Sequence, residues 1–592
     1  MASGITFRMA RPTLLAVLLL GCGVSAGPPA GGPAGVAAIK VDQVGYLPDE
    51  VKLALVSGTL GGDAFAVRRA AGGAVALQGR LGPPRADADS GDLVRVADFS
   101  ALGETGEFVI EVDGLGAGPP FRVARDVFSR AFYLAARSYY GQRCGTAVDL
   151  APSFPGYAHA ACHVEGTPNP DAEFHPSSGR AGRRAAVKGW HDAGDYGKYV
   201  VNSGITTGQL LWTYERYADR VAAVRLDIPE SGDATPDLLD EARWNLEWML
   251  SMLDEDGGAW HKLSSARFGG FVLPERDDGG PRLIVGTNGA PFKGTCATAD
   301  LAAVAAIAAR VYRPFDAAFA ARALEAARRA FAWVERHPGV AFRNCCGIVT
   351  GEYGDDRCED ETLWAAAELF RTTGEAVYGQ RFLRAYAGGG PLVSASDYPQ
   401  DWRNVRNMAL WAYAFAGAAD AAAREVIRAD TLAAADAIVA RTQANGYRVS
   451  LRPEHYVWGS NGGVANFGLL LLVADAFSPD HRYVQAALDN LHYLLGRNAH
   501  GVSFVTGLGS RPVRRIHHRP SGADAQAEPW PGLLSGGPNR FDRDGSGLDA
   551  IASTPPARRF VDEQASYASN ENAINWNAPL VFLLASTLPD GR

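Results

Sequence analysis

The sequence predicts a two-part chain: a small all-β sandwich followed by a large all-α toroid or bundle. Three observations carry that prediction. At 592 residues the chain exceeds what one hydrophobic core fills. The stretch from Ala38 to about Val123 alternates in short β-branched runs broken by Gly and Pro. After Phe128 the apolar residues recur at helical spacing, in long Ala-rich segments separated by Gly, Pro and aromatic loops.

In chain order, Arg8 and Arg11 precede an apolar run from Leu14 to Leu20, too short for a permanent membrane span. Residues 1–26 therefore read as an export signal. Leu19-Leu20-Gly21-Cys22 has the form of a lipoprotein cleavage box, with Cys22 as the lipidated residue, and Val24-Ser25-Ala26 offers an ordinary signal-peptidase site instead. Residues 27–37, rich in Gly, Pro and Ala, read as a flexible tether. These features place the mature protein outside the cytoplasm: periplasmic, secreted, or a cell-surface lipoprotein. Its only membrane contact would be that N-terminal anchor, and no later segment is expected to cross a bilayer.

Residues 38–124 form the expected sandwich, with strands at Ile39–Val44, Lys52–Val56 and Phe108–Val112. Residues 128–588 form the helical part. Leu238, Leu239, Ala242, Leu246, Met249, Leu250 and Leu253 share one helix face, and Gly257-Gly258 ends that helix. A small-residue helix opens at Thr298-Ala299-Asp300, and others are expected near 316–336, 360–373, 404–418, 421–441, 463–476, 482–496 and 573–586. With a net charge of −8 and no long basic run, the chain is not built to follow a phosphate backbone, so nucleic acid is not an expected partner. The protein is expected to be a monomer.

Two tracts carry chemistry. In Trp190-His191-Asp192-Ala193-Gly194-Asp195-Tyr196-Gly197 two carboxylates flank a small Ala-Gly step; far downstream stand Asp562 and Ser566-Tyr567-Ala568-Ser569-Asn570-Glu571. Paired carboxylates among aromatic and amide side chains suit glycosidic hydrolysis, where one acid protonates the leaving oxygen and one base activates a nucleophile. An isolated Asp-x-x-Asp equally serves as a loop cap or metal site.

His191-Asp192-Ala193-Gly194-Asp195 resembles the base-bearing segment of glycoside hydrolase family 9, a cellulase family with an (α/α)6 barrel. Phe560-Val561-Asp562, Tyr567, Glu571-Asn572-Ala573 and Asn577-Ala578 match that family's second signature. Ser503-Phe504-Val505-Thr506, Gly509, Arg511 and Ile516-His517-His518-Arg519 match its first. Val44-Gly45-Tyr46-Leu47-Pro48 resembles the immunoglobulin-like module of one subgroup. The resemblance implies an inverting hydrolase of β-1,4-glucosidic bonds in cellulose or soluble β-glucans. An endoglucanase is the leading activity; an exo-acting cellodextrinase or glucosidase is the alternative. Asp195 would be the general base, Asp192 its partner in holding water, and Glu571 the general acid, with a carboxylate separation of about 6.5–9.5 Å. Asp562 would orient Glu571 or a sugar contact, or form a structural salt bridge. His517 and Arg519 would donate to sugar hydroxyls. Trp458, Tyr567, Trp260 and His261 would line the cleft, with core packing the alternative, above all for Trp260.

Cys144, Cys162, His163 and His191 supply two thiolates and two imidazoles, a set suited to tetrahedral zinc. A Cys144–Cys162 disulfide is the alternative, and His159 and His175 are rival fourth ligands. The resemblance favours a structural zinc bracing the base loop. The acidic run Asp355–Glu361 suits either calcium or a solvated helix start. By resemblance, Asp356, Glu359, Asp360, Glu361 and the distant Asp401 would serve calcium. A bridge from Cys345 or Cys346 to Cys358 is expected, leaving Cys296 free.

Overall fold

The structure, a computed structural model, describes residues 38–58, 60–386 and 398–590. The export signal, Cys22 and the 27–37 tether lie outside the described residues.

Ten strands between Ile39 and Val123 form two sheets. One runs in the order Ile39–Lys40, Leu53–Ser57, Leu93–Asp98, Arg85–Ala86. The other runs Gly45–Tyr46, Phe121–Val123, Gly106–Val112, Ala64–Arg69, Val75–Arg80, with Gly116–Ala117 paired to Gly106–Val112. Alternation along these strands turns Val56, Phe65, Val67, Phe108 and Ile110 into a shared core. Tyr46 stands edge-on to Phe99 and Phe121, at centroid distances of 5.1 and 5.4 Å.

The sandwich seats on the helical part through polar contacts. Gln43 accepts from the Arg511 backbone N–H at 2.7 Å and donates to the Gly501 carbonyl at 3.0 Å. His492 Nδ1 meets Asp42 at 2.8 Å, with both side chains buried. The sandwich thus grips the segment that leads to His517.

Twelve helices of nine or more residues follow among the described residues. Val200–Val221, Thr295–Val311, Glu359–Thr373, Arg406–Ala414, Ser460–Phe477 and Ile574–Ser586 form the inner ring of an (α/α)6 barrel, and the others pack outside it. The inner helices Thr295–Val311 and Ser460–Phe477 bury nearly every side chain, so they are apolar or small almost all round, whereas outer helices such as Ala317–Arg336 bury one face. This explains one departure from expectation. Ser460–Phe477 is long and apolar enough to cross a membrane by length and composition, yet 83% of it is buried inside the protein.

The helix expected to open at Thr298 begins at Thr295, after Gly294 in extended conformation. Short strands missed in the sequence also occur. Glu173–Phe174, Leu283–Val285, Lys262–Ser264 and Lys198–Tyr199 make a small sheet, and the last of these joins the base tract to the helix Val200–Val221. Two-residue strands leave no periodicity to read.

Candidate active site

The Asp192–Gly197 turn closes on itself, Asp192 N–H donating to the Gly197 carbonyl at 2.9 Å. It is tied to the C-terminal tract because Ile574 N–H donates to the Asp192 carbonyl at 2.8 Å. The Asp192 carboxylate is fully buried and accepts from Asn202 Nδ2 at 2.9 and 3.1 Å and from the Tyr353 hydroxyl at 2.8 Å. Burial and the neighbouring Asp195 push its pKa up to about 7, against the pull of those two donors. Asp195 accepts from the Gly197 N–H at 2.9 Å and keeps 8% exposure.

Glu571 approaches from the other side. Among the described residues its carboxylate accepts one hydrogen bond, from the Gly194 N–H at 3.3 Å. Burial, then Asp195, raises its pKa well above the ordinary glutamate value; Asp192 adds to this and Arg519 opposes it. Gly194 separates the two halves, and no side chain fits there: a Cβ would lie 2.2 Å from the His517 carbonyl oxygen and 3.1 Å from Glu571 Oε1.

His517 and Glu571 lie in paired extended segments. His517 Nδ1 lies 2.7 Å from the Gln564 carbonyl, which can only accept, so Nδ1 carries the proton; burial lowers the ring's pKa. The neutral ring therefore offers Nε2 as an acceptor, not the donor expected from sequence. Arg519 is 6% exposed and spends its guanidinium on the Gly194 carbonyl at 2.9 Å and the Gly269 carbonyl at 3.0 and 3.2 Å. It braces the turn between Asp195 and Glu571. Among the described residues Asp562 makes no hydrogen bond to Glu571 and no salt bridge. It accepts from the backbone N–H groups of Arg514 and Arg515 at 2.9 and 2.8 Å and from Asn570 Nδ2 at 3.1 Å, fixing the segment beneath His517.

Glu571 opens on a cleft of about 870 Å³ whose walls include Tyr353, Asp401, Trp402, Trp458 and Trp576. Trp458 is 42% exposed and stands 5.3 Å from the Tyr567 ring, itself 37% exposed. Asp195 lines a narrower crevice with Phe268, 49% exposed, and Arg519. Trp260 and His261 are not in the cleft. Trp260 is fully buried and donates to the Ser178 carbonyl at 3.1 Å, while His261 stacks on Phe342 at 3.7 Å and bonds the Glu352 carbonyl at 2.9 Å. Both belong to the small sheet's packing. Sequence reasoning missed Tyr353, Asn202, Trp402 and Trp576. The one available signal was Tyr353's place in Gly351-Glu352-Tyr353-Gly354, an aromatic among glycines.

Behind the base turn, Cys144, Cys162, His163 and His191 bring four ligand atoms within 4.8 Å of one another, all buried. Cys144 Sγ lies 3.3 Å from His163 Nδ1, and Cys162 Sγ 3.9 Å from His191 Nε2. Tetrahedral zinc with its usual bond lengths sets ligand–ligand edges of about 3.4–3.8 Å, so the set fits the ion. His163 Nε2 meets Asp277 at 3.2 Å, a carboxylate–histidine pairing that fixes Nδ1 toward the cage. The two cysteines are free, not a disulfide. His159 and His175 are turned elsewhere, bonded to the Ala160 carbonyl at 2.7 Å and Ser177 Oγ at 2.8 Å. Gln142 links the cage to the chemistry: its carbonyl accepts from the His191 N–H at 2.7 Å, and its amide meets the Ala193 carbonyl at 3.2 Å and His518 at 3.0 Å.

The acidic run is rearranged relative to expectation. Asp356 is exposed and paired with Arg343, and Glu359 is exposed at the helix start, so neither points inward. Glu361 and Asp300, the latter passed over in the sequence reading, are fully buried, and among the described residues neither carboxylate has a hydrogen-bond partner. Burial raises the pKa of both, together with the charges of Asp360 for each and of Asp355 for Asp300. Asp401 senses Asp360 and is raised to about 6, chiefly by burial. Buried carboxylates that raise one another's pKa fit a hard cation bound by oxygen. The expected bridge to Cys345 or Cys346 is not formed: Cys296 pairs with Cys358 at a Cα–Cα distance of 4.7 Å.

Clustered carboxyl groups beside an aromatic-walled cleft in an (α/α)6 barrel are what a glycoside hydrolase presents. The chain belongs to glycosyl hydrolase family 9, whose model matches residues 128–584, and residues 35–117 match the cellulase N-terminal ig-like domain. It is 36% identical over 551 residues to endoglucanase D of Acetivibrio thermocellus, covering 92% of this chain and 83% of that one. It is 34% identical to a xyloglucan-specific endo-β-1,4-glucanase of Bacteroides ovatus, covering 93% of each. The crystal structure of the family 9 endoglucanase J30 matches with a TM-score of 0.85 at 35% identity, covering 92% of this chain and 100% of that one. A Zn-binding triple mutant of the same enzyme matches at 0.84, with the same identity and coverage.

Proposed function

We propose that the protein is an inverting endo-β-1,4-glucanase acting on cellulose-type or soluble β-glucans. The observation that carries this reading is the opposed treatment of Asp195 and Glu571 across Gly194. Glu571, buried beside two carboxylates, keeps its proton and serves as general acid to the leaving glycosidic oxygen. Asp195, held by one backbone N–H and open to the crevice, takes the proton of the attacking water. Asp192 positions that water's site from behind, through Asn202 and Tyr353. His517 Nε2 accepts from a sugar hydroxyl, and Trp458 and Tyr567 offer their faces to pyranose rings.

Endo action is supported by the relatives' activities and by exposed aromatics on both the Glu571 and the Asp195 sides, Trp458 and Phe268. Digestion of carboxymethyl-cellulose, xyloglucan and cellopentaose tests it: a rapid fall in viscosity with few new reducing ends is expected. Release of a single short product from chain ends alone would make the enzyme exo-acting.

Cys144, Cys162, His163 and His191 would hold a structural zinc; with four protein ligands it would have no open position, and it would supply rigidity to the base turn. Asp300, Asp360, Glu361 and Asp401 would hold calcium, supplying countercharge to carboxylates that otherwise lack it. We further propose that residues 1–26 direct export, with Cys22 as a lipid anchor, and that the enzyme works as a monomer. Labelling with a radioactive fatty acid in wild type and Cys22→Ser tests the anchor.

A further inference from the structure

Cys345 and Cys346 belong to neither metal cluster nor to the disulfide. They sit at the tip of a loop between Phe342 and Tyr353, with their sulfurs 2.8 Å apart; Cys346 is exposed and Cys345 half-buried. The loop's base is pinned on several sides. Asn344 N–H donates to Glu352 at 2.9 Å, Asn344 Nδ2 to the Thr350 carbonyl at 2.7 Å, and Lys262 Nζ to Asn344 Oδ1 at 2.8 Å. Val349 N–H reaches the Ala266 carbonyl at 2.7 Å, and the tip turns through Ile348 N–H to the Cys345 carbonyl at 3.0 Å, with Cys346 at φ +58° and Gly347 at φ +90°. The framework therefore holds two adjacent thiols together at the surface, and closing them needs a local movement of under about 1 Å.

We propose that Cys345 and Cys346 form a reversible vicinal dithiol–disulfide site that exchanges with small-molecule disulfides. The exposed Cys346 thiolate attacks one sulfur of the small disulfide and releases one small thiol. The Cys345 thiolate then attacks the Cys346 sulfur of the mixed disulfide, closing an eight-membered ring and releasing the second thiol. Two protein thiols are oxidised and one small disulfide is reduced to two thiols. Consistent with that order, burial and Cys346 push the Cys345 thiol up to about 11, making Cys346 the better first nucleophile.

The ring bridges Cα atoms only about 3.8 Å apart, below the usual span of a disulfide of roughly 4.4–6.8 Å, so it is strained and easily reduced. Cys296–Cys358, buried and joining residues 62 apart in sequence, is the stable counterpart. The site lies on the loop that carries Tyr353, whose hydroxyl holds Asp192, yet touches no residue assigned to catalysis.

The test is mass spectrometry of the full-length protein equilibrated with oxidised glutathione and quenched with N-ethylmaleimide. Trypsin then releases residues 344–357, which contain these two cysteines and no other. The expected peptide is two hydrogens lighter than the dithiol, carries neither maleimide nor glutathione, and converts to a doubly maleimide-labelled form after dithiothreitol. Cys345→Ser should instead trap one glutathione on Cys346. A wild-type peptide that stays doubly labelled, retains glutathione, or links two chains overturns the proposal.

Discussion

The two sides of the catalytic cleft hold their carboxylates in opposite ways. On one side, Asp192 and Asp195 stand on a turn held by backbone bonds, Asn202, Tyr353, Gln142 and the Cys144–Cys162–His163–His191 cage. On the other, the Glu571 carboxylate accepts one hydrogen bond among the described residues, at 3.3 Å, and burial with the charges of Asp195 and Asp192 outweighs Arg519. Side-chain donors oppose burial at Asp192, whereas at Glu571 burial and the charges of Asp195 and Asp192 act together and outweigh Arg519 and the one backbone donor.

The strongest way to break this contrast is to remove either pole. Glu571→Gln and Asp195→Asn should each lower kcat on carboxymethyl-cellulose by about 10²–10⁴-fold, without a matching rise in KM. The pH profile sharpens it. Because the Glu571 pKa is raised, the acid is in its working, protonated form below that pKa, and activity falls as pH rises through it. Asp195 is the largest charge raising it and Asp192 adds to it, while Arg519 lowers it. In the residual activity of Asp195→Asn the alkaline limb should therefore move to lower pH; a limb that stays put would remove the charge coupling from the account.

Next in size is the cage behind the base. Cys144→Ser should lower the unfolding free energy by more than about 2 kcal/mol, measured by chemical denaturation, and reduce bound zinc measured by elemental analysis. Activity lost on chelation with no change in thermal stability would argue against a bracing role. Tyr353→Phe deletes one of two side chains donating to Asp192 and should cost kcat about tenfold, with KM little changed. Smallest is Trp458→Ala, which should raise KM by about 2- to 10-fold by losing one stacking face; an unchanged KM would remove it from the cleft.

Much of this was legible in the sequence because the chemistry is local. Asp192 and Asp195 lie three residues apart on one turn, and the long helices announce themselves by period. The Cys144, Cys162, His163 and His191 set was legible as a choice of residue types, though not its geometry, which depends on Asp277 fixing His163 from 114 residues away. What stayed hidden was long-range. Trp260 sits in Gly-rich, polar surroundings that suggest a cleft, but strand pairing through Lys262–Ser264 turns it inward. Asp300 lay inside a small-residue helix and only acquires meaning beside Glu361. The Cys296–Cys358 pairing depends on two barrel helices meeting, which no local spacing encodes.

In the proposed mechanism Asp195 activates water while Glu571 protonates the departing sugar, in a single displacement. Proton NMR of cellopentaose hydrolysis, followed from the first minutes before mutarotation, tests it most directly. The α-anomer of the new reducing end should appear first and decay toward equilibrium. Initial accumulation of the β-anomer would mean retention through a covalent intermediate, and would contradict the assignment of Asp195 as a base.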